Sequence, residues 1–155
     1  MAENKQLSYL IDLAISKEEQ SYNFYMSLHE RVNDSKIRET LKFLAEEEVK
    51  HKEFLIAYRK GNYPGSLNMD AVVDYRIAEH IEKPELKKDM NTQDIYLVAA
   101  HNELNSYNFY KGLSDMQPSG EVKDMLLKMA NEELKHKEKV EYLYSNTAFP
   151  QTAGG

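Results

Sequence analysis

A chain of 155 residues with 26 acidic side chains, 20 basic ones and a formal charge of −6 is most simply one domain with a core of its own. The acidic balance excludes nucleic acid as a main partner, because phosphate binding wants clustered Lys and Arg. The absence of cysteine excludes disulfides, cysteine-ligated zinc and iron–sulfur sites within these residues. No apolar run reaches the roughly 18 residues of a membrane span, and Met1 to Lys5 lack a signal-peptide pattern, so the expected setting is the cytoplasm without a membrane.

Taken in chain order, apolar residues at steps of three and four predict four helices. The first carries Leu7, Ile11, Ala14, Glu18, Ser21, Tyr25, Leu28 and Val32 on one face. Asn33-Asp34-Ser35 breaks it, with Asp34 or Ser35 able to cap the second helix. That second helix carries Ile37, Leu41, Leu44, Glu48, His51, Leu55 and Tyr58. Residues 59–91 contain Gly61, Pro64, Gly65 and Pro84 and are expected to be a long crossover, with a short helix over Ala71 to Ile81. The third helix presents Ile95, Ala99, Glu103, Ser106, Tyr110 and Leu113, and Gln117-Pro118-Ser119-Gly120 ends it, with Ser119 in the capping place. The fourth presents Val122, Met125, Met129, Glu133, His136, Val140 and Leu143, and residues 146–155 are expected to form a flexible tail. Short breaks imply antiparallel neighbours. The expected fold is therefore all-α: a four-helix bundle over residues 1–145, made of hairpins 5–58 and 92–145 joined by the crossover 59–91.

The two hairpins repeat one another. Glu48-x-x-His51 recurs as Glu133-x-x-His136, and each has a Glu 30 positions upstream, Glu18 and Glu103. The offset between the copies is 85 positions throughout, and Tyr22-Asn23-Phe24-Tyr25 returns as Tyr107-Asn108-Phe109-Tyr110. Residues i and i+3 of a helix share a face, so each Glu-x-x-His pair can reach one point. These ionisable residues lie on the apolar stripes, where an unpaired carboxylate is costly. Four carboxylates facing one core need cations, and two divalent metal ions are the simplest supply. The metal-ligand candidates are Glu18, Glu48, His51, Glu103, Glu133 and His136. Glu47 and Glu132 are rival carboxylates at i−4 from each His, but Glu48 and Glu133 continue the stripe more closely. Oxygen and imidazole ligands suit iron or manganese and can hold zinc. A geometry with one His and one terminal Glu per ion, Glu18 or Glu103, leaves Glu48 and Glu133 to bridge. Tyr25 and Tyr110 share the stripe, as core aromatics or as hydrogen-bond partners of a ligand Glu. Ser21 and Ser106 make room near the metals. His29, His80 and His101 have no counterpart in the repeat and read as surface or crossover residues, and the seven Met residues as core filler.

Two Glu and two Glu-x-x-His pairs pointing inward match the ligand arrangement of ferritin-like di-iron bundles. Through Ala-x-x-x-Glu-x-x-Ser-x-x-Phe-Tyr at 14–25 and 99–110, and Ala-x-x-Glu-x-x-His at 45–51 and 130–136, the chain resembles the rubrerythrin-like branch of that superfamily over about residues 5–145. The resemblance implies two iron ions per bundle, with peroxide or O2 as the oxidant, in oxidative-stress defence. A homodimer is implied by the same analogy. Two departures stand out. Typical rubrerythrins append a four-Cys rubredoxin domain; this chain has no Cys, so an external electron-donor protein is expected. Typical rubrerythrins also place an extra Glu one turn after the third-helix ligand, where this chain has Ser106, mirrored by Ser21. A ferroxidase or iron-storage protein is therefore the alternative, and a structural metal-binding bundle the second one.

Overall fold

Two helical hairpins and a short intervening helix account for the computed structural model, which describes residues 5–62, 67 and 69–148. The chain divides into two units, Met1–Leu67 and Asn68–Gly155. Among the described residues every regular element is helical, and no helix is long and apolar enough to cross a membrane. This is the expected all-α class.

In the first unit, α1 (Lys5–Glu30) packs antiparallel to α2 (Ser35–Arg59). The buried face of α1 is Leu10, Ile11, Ala14, Glu18, Ser21, Tyr25 and Leu28, which is the expected stripe with Leu10 added and Leu7 half-buried at its end. The buried face of α2 contains all seven expected residues and Ala45. The break between them is closed by Asp34, whose Oδ1 accepts from the backbone N–H of Lys36 at 2.9 Å and of Ile37 at 3.1 Å. Those donors have no partner within the helix, so the cap both starts α2 and sets its register. On the outer surface Arg59 pairs with Asp12, and Lys52 with Glu19 at 3.0 Å.

In the second unit, α4 (Thr92–Asp115) packs against α5 (Glu121–Ala148), and α3 (Ile77–His80) lies against α4. Asn91 caps α4 by accepting from Asp94 N–H at 2.8 Å. At the start of α5 the residue before the helix is Gly120 (φ 153°), one position after Ser119, and its carbonyl accepts from Asp124 N–H at 3.0 Å. Glu121 and Asp124 place negative charge in that first turn, where the helix dipole favours it.

Two expectations need correction. The helix expected over Ala71 to Ile81 shrinks to Ile77–His80. Asp74 Oδ1 accepts from Arg76 N–H at 3.0 Å and Arg76 turns left-handed (φ 55°), while Val73 N–H is committed to the side chain of Glu138. A side chain that captures a nearby amide competes with the helix for it. At the other end α5 runs through Ala148, so Asn146 and Thr147 are helical rather than tail, with Thr147 Oγ1 donating to Leu143 O at 2.8 Å. The rest of the expected tail, 149–155, and the crossover residues Pro64 and Gly65 lie outside the described residues.

Candidate metal centre

Each hairpin builds a trio of potential ligands. In the first unit α1 supplies Glu18, and α2 supplies Glu48 and His51 one turn apart. The three are buried, at 2%, 1% and 5% exposure. His51 Nδ1 lies 3.6 Å from Glu18 Oε2 and 3.6 Å from Glu48 Oε1. In the second unit α4 supplies Glu103 and α5 supplies Glu133 and His136, at 0%, 0% and 5% exposure. His136 Nδ1 lies 3.6 Å from Glu103 Oε1. Within each trio the potential ligand atoms lie within 4.8 Å of one another.

These distances test whether the donors fit a metal. A separation of 3.6 Å is longer than a hydrogen bond between nitrogen and oxygen. Two metal–ligand bonds of about 2.1 Å each leave their donor atoms no more than ~4.2 Å apart. The imidazole and carboxylates are thus spaced as ligands that share an ion, and a dication offsets the cost of burying two carboxylates per hairpin. The donor set of oxygen and imidazole fits iron, manganese or zinc.

The neighbouring residues repeat as well. Ser21 and Ser106 are buried at 2% and 1%, and Tyr25 and Tyr110 at 0%. Tyr25 meets the edge of Phe24 with ring centroids 5.5 Å apart, and Tyr110 meets Phe109 at 5.1 Å. Glu47 and Glu132 stand apart from the trios. They are half-buried and face Lys50 at 3.1 Å and Lys135 at 3.6 Å. Of the three unmatched histidines, His80 is exposed and His29 half-buried at the turn of the first hairpin. Burial and the nearby Arg38 and Lys42 push the His29 pKa below the ordinary value. His101 is half-buried and tied to the carbonyl of Ile81 at 2.8 Å, which holds the end of α3 to α4.

Sequence reasoning missed one cluster. Lys137, next to His136, is wholly buried, and its Nζ reaches Asp74 at 2.6 Å, Glu79 at 2.8 Å and Glu141 at 3.1 Å. Burial alone would lower the lysine pKa, but the hydrogen bonds to Asp74, Glu79 and Glu141 outweigh it and hold the pKa above normal. Burial likewise pushes Asp74 up, while Lys137 and the Arg76 N–H hold it below the usual carboxylate value. The same carboxylates tie down backbone. Ala78 N–H donates to Glu141 at 2.8 Å and Val73 N–H to Glu138 at 2.9 Å. The only signal in the sequence is Lys137 and Glu141 at i,i+4, which is the spacing of any surface pair.

Comparison with known proteins agrees with the first hairpin. The family model Rubrerythrin matches residues 1–59, the segment that holds Glu18, Glu48 and His51. Comparisons with curated proteins and with solved structures found no match. The match over residues 1–59 and the buried carboxylate and histidine trios are consistent with a rubrerythrin-like, ferritin-like protein.

Proposed function

We propose that this chain is a non-haem di-iron oxidoreductase of the rubrerythrin type, oxidised by hydrogen peroxide or O2. One observation carries the reading: a buried Glu, Glu and His trio in each hairpin, repeated at the same offset. On this reading the two trios come together in a four-helix bundle, formed within one chain or by exchange of hairpins in a homodimer. His51, Glu18 and Glu48 would hold one ion and His136, Glu103 and Glu133 the other. Two bound Fe(II) ions supply the two electrons that reduce the oxidant.

The side chains of this chain do the rest. The carboxylates would neutralise the ions, and the buried stripes around them, including Tyr25 and Tyr110, wall the ligands on their apolar side. Ser21 and Ser106 leave space beside the ligands. No cysteine exists within these residues, so the electrons that reset the centre come from outside them, and a donor protein is the proposed source. A cytoplasmic setting suits that supply. Ser106 favours a second reading, a ferroxidase that passes iron onward, because it stands where typical rubrerythrins carry a further Glu.

The test is anaerobic protein loaded with two Fe(II) per chain and mixed separately with peroxide and with O2, with oxidation read by absorbance. Faster oxidation by peroxide supports the peroxidase. Faster or equal oxidation by O2, or turnover of many Fe(II) per chain, moves the function to the ferroxidase.

A further inference from the structure

The two hairpins are equivalent in their ligands but not in how those ligands are covered. In the first unit a cavity of about 380 Å³ opens along α1 and α2, and its wall includes Glu18, Tyr22, Asn23, Glu48, Lys52 and Ile56. An offset of 85 carries these positions onto Glu103, Tyr107, Asn108, Glu133, Lys137 and Glu141 of the second unit. There the equivalent face lies under the segment 70–81. Lys137 grips Asp74 and Glu79, Glu141 accepts from Ala78 N–H, Glu138 accepts from Val73 N–H, and Asn131 donates to Asp70 O at 3.2 Å. The contrast is clearest at one pair of equivalent residues. The Lys52 side chain is 37% exposed, whereas that of Lys137 is 0% exposed.

We propose that the cavity in the first hairpin is the access route for a hydrated divalent cation and a small oxidant to Glu18 and Glu48, and that the segment 70–81 is a strap closing the equivalent route to Glu103 and Glu133. This inference rests on the di-metal reading. The volume is sufficient, since six waters around an ion occupy about 180 Å³. Glu19, which also lines the cavity, neutralises Lys52, and this leaves Glu53, on the same wall, to draw in cations. On the strapped side Leu104 stands in the place of Glu19, Glu138, the counterpart of Glu53, is occupied by the Val73 amide, and Lys137 and the Ala78 amide hold the strap on Glu141, so the ion must wait for the strap to open. The two ions therefore load and exchange at different rates although their ligands are alike.

The experiment is anaerobic stopped-flow loading of the full chain with Co(II), read by its visible absorption, with the final stoichiometry measured separately. The parent should load in two phases and bind two Co(II) per chain. Asn23→Trp, a plug on an exposed wall position, should slow the fast phase by about tenfold or more without changing the stoichiometry. Asn108→Trp, at the equivalent position of the strapped hairpin, should leave the fast phase unchanged. Asp74→Asn combined with Glu79→Gln should speed the slow phase towards the fast one. A single phase in the parent, or an Asn23→Trp protein that binds two Co(II) at the parent rate, overturns this inference and leaves the metal reading standing. A parent that binds no Co(II) overturns both.

Discussion

Replacing Lys137 with Met separates a buried cation from a surface one, because the repeat supplies its own control. Removing one partner of a buried ion pair costs about 3–5 kcal/mol, since the remaining charge is stranded. Asp74 and Glu79 retain 28% and 17% exposure and can rehydrate, but Glu141 at 0% cannot, which places Lys137→Met near the bottom of that range, at ~3 kcal/mol. If the loss falls on the strap alone, protection of the Ala78 amide against hydrogen exchange should drop by roughly a hundredfold. If it falls on the whole unit, the melting temperature should drop by about 6–12 °C. Lys52→Met removes the equivalent lysine, whose partner Glu19 is 53% exposed, and should cost no more than ~1 kcal/mol. The double variant Lys137→Met/Glu141→Met removes the stranded charge but also the acceptor of the Ala78 N–H, so it should recover part of the thermal stability and none of the Ala78 protection. Amide exchange and thermal unfolding of the four proteins decide the matter. A Lys137→Met protein as stable and as well protected at Ala78 as Lys52→Met would refute the reasoning.

Two further outcomes rest on single residues. Asp74 has a lowered pKa in the folded chain, so its contribution is fully present above the unfolded carboxylate value near pH 4 and fades as the pH falls through the lower folded value; Val73 and Ala78 amide protection should therefore be flat from about pH 5 to 8 and decline only below ~4. Asp34→Ala removes two hydrogen bonds from the first turn of α2 and should cost about 1 kcal/mol in urea unfolding, with Asp34→Asn close to the parent; an unchanged Asp34→Ala would show the cap to be idle.

What the sequence made legible is what repeats with a helical period. Glu18, Ser21 and Tyr25 fall on the same stripe as Ile11 and Ala14, so the burial of those polar residues could be read from spacing alone. The second copy at a fixed offset then made an accident improbable. The strap was not legible, because its partners lie far apart in sequence: Asp74 and Glu79 precede Lys137 by about sixty positions, and no local pattern links them. The helix expected from Ala71 is cut short because the Val73 N–H is taken by Glu138 of α5 and the Arg76 N–H by Asp74, contacts that no local pattern announces. The extension of α5 to Ala148 was hidden for a simpler reason, since Asn146 and Thr147 are exposed and carry no apolar period.

The central claim is that buried carboxylates and histidines from both hairpins hold two metal ions. Anaerobic equilibrium titration with Fe(II) tests it most directly, using the parent, Glu133→Ala and its neighbour Glu132→Ala. The account predicts two Fe(II) per chain for the parent and for Glu132→Ala, and a lower number for Glu133→Ala. Fewer than two Fe(II) on the parent, or equal binding by Glu133→Ala, would contradict it.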